Sequence, residues 1–172
     1  MKKVFLFVVF LLPASLFSQE SQSAGMWRAW QFLQGEWVGE GSGDPGQGTG
    51  GFTLYPDLQN TILVRKNFAN YPATKDRPAF SHEDLMVIYE ERGTPQAIYF
   101  DNEQHVIHYM VKFSEDSNTV IFLSDIVVSA PRFRLTYAKA GPERVKLTFD
   151  IAPANKPDEF SRYIAATARR KK

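Results

Sequence analysis

Hydrophobic and polar positions alternate along most of this chain with a period of two, the pattern typical of half-buried β-strands. Short stretches rich in glycine, proline, asparagine and aspartate separate the alternating segments. No segment of helical length lies between consecutive strands, so the pattern favours an antiparallel sheet over a parallel α/β sheet. The predicted strands span residues 36–40, 52–55, 61–68, 81–90, 97–101, 105–113, 119–124, 132–138, 144–151 and 163–169.

Residues 1–18 depart from this pattern. A basic pair, Lys2 and Lys3, precedes an apolar run over residues 4–12 and a few small residues before Gln19. This is the layout of a secretory signal peptide, and the run is shorter than the roughly 20 apolar residues that a membrane span needs. We therefore expect an exported protein, periplasmic or extracellular, that is soluble once the signal peptide is removed.

The rest of the chain is expected to form one domain. Residues 19–25 are small and polar and predict a flexible leader. In residues 26–33, apolar side chains recur three or four positions apart, which predicts a short helix. The glycine-rich residues 41–51 predict a long loop. The domain then spans residues 26–172, a length typical of a single domain.

About ten antiparallel strands in so short a chain must either stack as two sheets or close on themselves. Closure is favoured because it leaves no exposed sheet edge. A barrel of this size also leaves an interior that can hold one small ligand. We therefore predict an all-β fold, a single antiparallel β-barrel of about 8–10 strands with a short N-terminal helix over one end.

The composition excludes several classes of function. The chain has no cysteine, which excludes disulfides, thiolate metal sites and the lipid attachment of a bacterial lipoprotein. Its formal net charge of +1 falls to about −1 with loss of the two signal-peptide lysines, so binding to nucleic acid or an anionic membrane is not expected. The basic residues 169–172 predict a solvated tail. Three histidines are few for a zinc site, and no metal site is expected.

A motif near the N-terminus resembles a known family. Phe32–Gly41 reads FLQGEWVGEG. A helix followed by this motif is similar to the opening of the calycin barrels. The fuller pattern resembles the nitrobindin-like haem-binding barrels and the lipocalin-like domains of secreted bacterial proteins. The resemblance implies a calycin-like barrel in which Trp37 closes one end, Gly35 permits a sharp entry into the first strand, and Gly39 lets that strand bend.

The same resemblance raises the question of haem. Nitrobindin-like barrels hold haem iron through a histidine near the C-terminus, whereas residues 163–170 read YIAATARR and contain none. Tyrosine can also ligate ferric iron, but we expect Tyr163 to be a buried core residue. We therefore expect no haem and no other cofactor.

The densest cluster of titratable side chains opens the fourth predicted strand. Alternation places His82 and Asp84 on one face of this strand and Glu83 on the other. Facing the interior, His82 would orient a ligand or share a proton with Asp84; at the strand end it would only cap the barrel mouth. Ser81 and His82 point apart, so they do not form a nucleophile and base, and the chain has no Gly-x-Ser-x-Gly motif.

The third predicted strand supplies two more candidates. Arg65 and Asn67 share one face of it, and an arginine inside a barrel would have to meet a carboxylate. The odd spacing between His105 and His108 puts these two histidines on opposite faces of their strand, which disfavours a two-histidine metal site.

These features favour a secreted protein that holds a small hydrophobic or amphipathic ligand in a barrel cavity. Two alternatives remain open: an enzyme that uses the same cavity with His82 and a neighbouring carboxylate as acid–base pair, and a structural or interaction barrel with a filled interior. The expected partner is a small apolar or amphipathic molecule, with no nucleic acid and no membrane after signal cleavage. The protein is expected to be a monomer or homodimer. The residues expected to contact the ligand are His82, Arg65, Asn67, Tyr99 and His108.

Overall fold

Ten β-strands make up most of this computed structural model, which describes residues 25, 27–41 and 48–172. The predicted signal peptide, most of the predicted leader and Met26 lie outside the described residues. All ten predicted strands are confirmed, and their ends shift by no more than three residues. The strands are β1 (Gly35–Gly39), β2 (Thr49–Asp57), β3 (Ile62–Tyr71), β4 (Phe80–Glu91), β5 (Thr94–Asp101), β6 (Val106–Phe113), β7 (Thr119–Ser124), β8 (Arg132–Lys139), β9 (Arg144–Ala152) and β10 (Ser161–Arg170).

The ten strands form one closed sheet. Each strand pairs antiparallel with the next strand in the chain, and β1 pairs with β10 to complete the circle. Along this closing seam, Trp37 lies opposite Arg170 and Val38 lies opposite Arg169. The predicted all-β antiparallel barrel is therefore confirmed, and its architecture is compatible with a calycin-like barrel.

The helix predicted over residues 26–33 is shorter than expected. A 3₁₀ helix spans Arg28–Trp30, and turns follow it as far as Leu33. No side chain caps its start, and 3₁₀ geometry is used in short pieces. The predicted apolar face is correct, because Trp27, Trp30 and Leu33 are buried. Trp27 Nε1 donates a 2.7 Å hydrogen bond to the carbonyl oxygen of Asn60, which fixes the helix to the β2–β3 turn.

This 3₁₀ helix closes one end of the barrel. The ring of Trp30 meets that of Phe113 edge-on, with 4.9 Å between centroids. Trp37 stacks on Phe52 and donates from Nε1 to the carbonyl oxygen of Leu33 at 2.8 Å. Trp37 thus lies where the family resemblance placed it, among the buried rings at the closed end.

Gly35 and Arg170 complete the closed end. Gly35 enters β1 with a φ of 118°, a conformation that side chains disfavour. A Cβ there would lie 2.6 Å from Nη1 of Arg170, which donates to the carbonyl oxygen of Gln34 at 2.6 Å. The Arg170 guanidinium also lies 4.4 Å from the centre of the Trp37 ring. The prediction of a solvated tail over residues 169–172 is therefore wrong at Arg170, which belongs to β10 and packs on the core.

The loop predicted over residues 41–51 ends earlier than expected, because β2 begins at Thr49. A Cβ on Gly50 would lie 2.2 Å from the carbonyl oxygen of Phe68 on β3. Glycine therefore permits a close approach of the two strands at this point. Residues 42–47 lie outside the described residues.

The outer face of β8 also differs from the prediction. Alternation along β8 predicts that Arg132 and Arg134 face water, and their neighbours Leu135 and Tyr137 do face the core. Arg132 is nevertheless buried, because its Nη1 donates to Asp158 at 2.7 Å and its guanidinium lies near the Phe160 ring. The β9–β10 connection thus covers part of the outer wall, which strand periodicity cannot reveal.

The core is continuous from the closed end to the middle of the barrel. In the part of the chain that the structure describes, no helix is long and apolar enough to cross a membrane. The largest fully buried side chains are Trp30, Trp37, Tyr137, Phe122, Leu33, Leu54, Leu63, Met86, Ile88, Val120 and Val145.

Candidate functional site

In the part of the chain that the structure describes, the barrel end opposite the 3₁₀ helix carries inward-facing apolar side chains that are only partly buried. Most of those at the closed end are buried, with Phe113 as a partly exposed exception. At the end opposite the helix, Phe133 and Phe149 stack with 5.7 Å between ring centroids. Tyr99 and Ile107 lie opposite each other on adjacent strands and are also partly exposed. Rings that face the interior yet reach solvent mark an accessible opening, which we call the mouth.

Asp84 is the centre of a polar cluster below the mouth. Its side chain is 3% exposed. Its Oδ2 lies 2.8 Å from Nδ2 of Asn67, and 3.4 Å from both Nη2 of Arg65 and Nε2 of His82. Strand register explains the gathering, because Asn67 pairs with Asp84 directly while Arg65 and His82 each lie two residues away on the same face. Asp84 is the carboxylate that an internal Arg65 requires.

His82 links this cluster to the rim of the mouth. Its Nδ1 lies 2.9 Å from Oε1 of Glu103, and its Nε2 lies 3.1 Å from Oη of Tyr99. Hydrogen bonding to Asp84, and to a smaller extent to Glu103, raises the pKa of His82 to about 9 despite partial burial. His82 is therefore a cation at neutral pH with both ring nitrogens acting as donors. Burial raises the pKa of Tyr99 well above its usual range, so its phenol stays protonated.

Asp101 lies opposite Asp84 on β5, and the turn after it supplies most of its partners. The backbone N–H groups of Glu103 and His105 donate to Oδ1 at 3.0 and 2.9 Å. Its Oδ2 lies 2.8 Å from Nδ1 of His105 and 3.3 Å from Oη of Tyr99. Burial opposes ionisation, but the hydrogen bonds from His105 outweigh it and lower the pKa of Asp101. The carboxylate is thus a well-satisfied part of the rim.

Arg65 and two tyrosines lie deeper, where solvent does not reach. Burial raises the pKa of Tyr137 to about 12 and that of Tyr109 beyond its usual range, so both phenols stay protonated. Burial alone would lower the pKa of Arg65, but the Asp84 carboxylate outweighs this and raises it. The guanidinium carbon of Arg65 lies 5.9 Å from the ring centre of Phe52 and 5.7 Å from that of Tyr137.

Several polar atoms of this deeper layer have no hydrogen-bond partner. They are Nε and Nη1 of Arg65, Oδ1 of Asp84 and Oη of Tyr137, each shielded from solvent. Arg65 Nη1 does lie 3.1 Å from Asp84 Oδ1, so the two form an ion pair, but their geometry does not make a hydrogen bond. We call Arg65, Asp84 and Tyr137 the interior floor. Because buried polar groups are nearly always hydrogen-bonded, the two atoms outside this ion pair, Nε of Arg65 and Oη of Tyr137, require an explanation.

The structure brings together four of the five side chains that the sequence indicated. Arg65, Asn67, His82 and Tyr99 all lie in or beside the cluster around Asp84. His108 does not, because it pairs with Ile98 on the outer face of the barrel and is exposed.

A groove of about 690 Å³ runs along strands β1 to β5. Outward-facing apolar side chains contribute to its lining, among them the exposed Phe68 and Phe100. Asn67, Asp84 and Asp101 are among its lining residues, whereas Arg65, His82 and Tyr99 are not. The mouth is the candidate site because partly exposed rings and the whole polar cluster meet there.

The residues present do not fit a haem held in the manner of nitrobindin-like barrels. Tyr163 is 66% exposed at a bulge in β10, so the prediction of a buried core tyrosine is wrong. Both ring nitrogens of His82 already have partners. Among the described residues, no group of three histidine or acidic side chains is arranged to hold a metal ion.

Sequence reasoning missed part of the site. Tyr137 shares the inward face of β8 with Leu135, so alternation could have placed it in the interior. Its proximity to Arg65 depends on barrel closure, which no local spacing reveals. Asp101 and Glu103 have the pattern of a turn, and the turn is present, but its position at the rim of the mouth follows only from the fold.

Comparison with known proteins adds no family to this picture. No family model and no curated protein matches the chain. The likeness to calycin-type proteins therefore stands at the level of the barrel architecture.

Proposed function

We propose that this protein is an exported binding protein that holds a small amphipathic molecule at the mouth of its barrel. The observation that carries the proposal is the group of inward-facing rings at the mouth, Tyr99, Phe133 and Phe149, that remain partly exposed. A ligand that covers Phe133, Phe149 and Tyr99 would remove their apolar surface from water, at about 25 cal/mol per Å² buried. The polar cluster around Asp84 would then fix the orientation of the ligand.

The proposed relationship is to calycin-type binding barrels in general, including lipocalin-like and nitrobindin-like ones. The motif around Trp37, the closed ten-stranded barrel and the apolar mouth support it. The proposal does not extend to haem, because the interior side chains do not fit the family's mode of holding it. Export rests on the signal-peptide pattern of residues 1–18.

One observation favours binding over a solidly filled structural barrel. Such a barrel would be expected to satisfy its buried polar atoms, whereas Nε of Arg65 and Oη of Tyr137 have no hydrogen-bond partner in the interior floor. The enzyme alternative rests on a different observation. The buried Asp84 raises the pKa of His82 to about 9, so at neutral pH the ring could act as a general acid but not as a base.

Native mass spectrometry of residues 19–172, purified gently after export, tests the proposal. We expect a mass excess over the polypeptide that disappears on denaturation and identifies the class of the bound molecule. The apolar fluorophore N-phenyl-naphthylamine provides a second readout, since its emission rises when it enters an apolar site. A bare polypeptide mass together with no fluorescence enhancement would contradict the proposal.

A matched pair of variants locates the site. Phe133→Ala removes a ring at the mouth, and Phe100→Ala removes a partly exposed ring on the outer wall. We expect about tenfold weaker fluorophore binding for Phe133→Ala, because about 1.4 kcal/mol of apolar contact is lost. Phe100→Ala should bind as the wild type does. The reverse pattern would move the site to the outer groove.

A further inference from the structure

We propose that the interior floor is a subsite for one uncharged oxygen group of the ligand, a hydroxyl or a carbonyl. This inference rests on the proposed function and specifies which end of the amphipathic molecule enters first. The oxygen would lie between Arg65 and Tyr137, with the apolar body of the ligand extending towards the rings of the mouth.

The hydrogen-bonding capacity of the interior floor sets the chemistry. Oδ2 of Asp84 is approached by donors from Asn67, Arg65 and His82. Oδ1 of Asp84 accepts no hydrogen bond. Nη1 of Arg65 and Oδ1 of Asp84 face each other as an ion pair at 3.1 Å, so the donors left without any partner are Nε–H of Arg65 and the hydroxyl of Tyr137. A carbonyl can accept from both donors, and a hydroxyl can also donate to Oδ1.

The charges around the site are already paired, which argues against a charged group. Arg65 faces Asp84, and the protonated His82 lies between Asp84 and Glu103. Asp101 is held by backbone N–H groups and by His105. A ligand carboxylate or ammonium would add an unpaired charge to a buried site, at a cost of several kcal/mol. What remains unused is hydrogen-bonding capacity rather than charge.

The position of the subsite suits an oxygen atom with an apolar body attached. Arg65 is 4% exposed and Tyr137 is fully buried, so bulk water does not compete for their donors. The guanidinium is flanked by the rings of Phe52 and Tyr137. Leaving a buried donor unpaired costs about 1–3 kcal/mol, so an oxygen that satisfies it gains selectivity over an apolar group of the same size.

Tail-matched probes test the inference. Dodecane, dodecanol, dodecanoate and dodecylammonium share one apolar chain and differ only in the head group. Each is titrated against the protein loaded with N-phenyl-naphthylamine, at neutral pH and below the micelle concentration of the probe. We expect dodecanol to bind about tenfold more tightly than each of the other three.

Two variants assign the effect to the floor. Tyr137→Phe removes one buried hydroxyl, and Tyr55→Phe removes a hydroxyl from a half-exposed ring as the matched control. We expect about fivefold weaker dodecanol binding for Tyr137→Phe, unchanged dodecane binding, and no change for Tyr55→Phe. The loss corresponds to one net hydrogen bond of about 1 kcal/mol.

The outcomes separate this inference from the proposed function. Equal binding of all four probes, or the tightest binding by dodecanoate or dodecylammonium, would overturn the head-group subsite and leave the binding function standing. Dodecanol affinity that Tyr137→Phe does not change would also overturn it, since bound water alone would then satisfy the floor. Failure of every probe and of the fluorophore would overturn both.

Discussion

The closed end of this barrel and the interior floor are built from the same strands, but their buried polar atoms differ in whether the chain supplies hydrogen-bond partners. At the closed end, Nε1 of Trp27 and Nε1 of Trp37 donate to Asn60 and Leu33. Arg170 donates to two further backbone carbonyl groups while its guanidinium covers Trp37. Each of these donors is satisfied by the chain itself. This end has the properties of a stability centre.

The interior floor keeps hydrogen-bonding capacity that the chain does not use. Arg65 and Tyr137 are as deeply buried as the tryptophans, yet Nε of Arg65 and Oη of Tyr137 have no partner. Apolar rings such as Phe133 lie above them and are partly exposed. If the proposed function holds, burial alone does not distinguish the structural part of this fold from the binding part. The two regions differ in whether each buried polar atom has a hydrogen-bond partner in the chain.

The largest expected effect comes from a ring at the closed end. Trp37→Ala removes a side chain that is 2% exposed, together with its hydrogen bond to Leu33. We expect it to lower the free energy of unfolding by about 4 kcal/mol, because a large cavity remains. Phe133→Ala at the mouth should cost about 1.5 kcal/mol, since its ring is only partly buried. Urea denaturation followed by circular dichroism measures both values.

Similar losses of stability in Trp37→Ala and Phe133→Ala would contradict this prediction. Equal losses would mean that the mouth is packed as tightly as the closed end, which would favour the filled structural barrel. A larger loss for Phe133→Ala would reverse the assignment of the two ends.

The next largest effect comes from separating the buried ion pair. Arg65→Met leaves the Asp84 carboxylate buried without its guanidinium, and we expect a loss of about 3 kcal/mol in the free energy of unfolding. The double variant Arg65→Met with Asp84→Leu should regain most of that loss, because neither charge remains. Chemical denaturation of the single and double variants gives the coupling energy. A double variant less stable than Arg65→Met would show that Asp84 stabilises the fold without Arg65.

Much of the fold could be predicted from the sequence. Alternation identified all ten strands, and short turns between them implied antiparallel neighbours, which the register confirms. The predicted helix was too long, although the burial of Trp27, Trp30 and Leu33 followed from their spacing. Arg170 could not be predicted, because its partners at Gln34 and Trp37 lie at the other end of the chain and meet it only through closure.

The candidate site was predictable only in part, for a related reason. Alternation put Arg65 and Asn67 on one face of their strand and His82 and Asp84 on one face of the next, and the register of the structure shows that both faces point into the interior. The same alternation puts His108 outside once Tyr109 is known to be buried. Sequence periodicity indicates which face of a strand a side chain occupies. The number of hydrogen-bond partners available to that side chain depends on how the whole barrel closes.

The smallest expected effect is a pH dependence confined to the open end. His82 has a pKa of about 9 in the folded protein and an ordinary value of 6.5 when unfolded. A raised folded pKa means that its contribution to stability is complete below about pH 6.5 and is lost as the pH rises through about 9. We expect the free energy of unfolding to fall by about 2 kcal/mol over this interval, a magnitude reduced for partial solvent exposure of the ring.

His82→Gln is the control that assigns this slope, because glutamine keeps polar contacts without titrating. Denaturation of both proteins at several pH values between 6 and 9 should give a sloping line for the wild type and a much flatter one for the variant. The cause lies in Asp84 and Glu103, which hold the imidazolium from either side. Parallel lines would show that His82 loses its proton in the folded protein near the ordinary value. The ring could then act as a base at neutral pH, which would favour the acid–base enzyme over the binding protein.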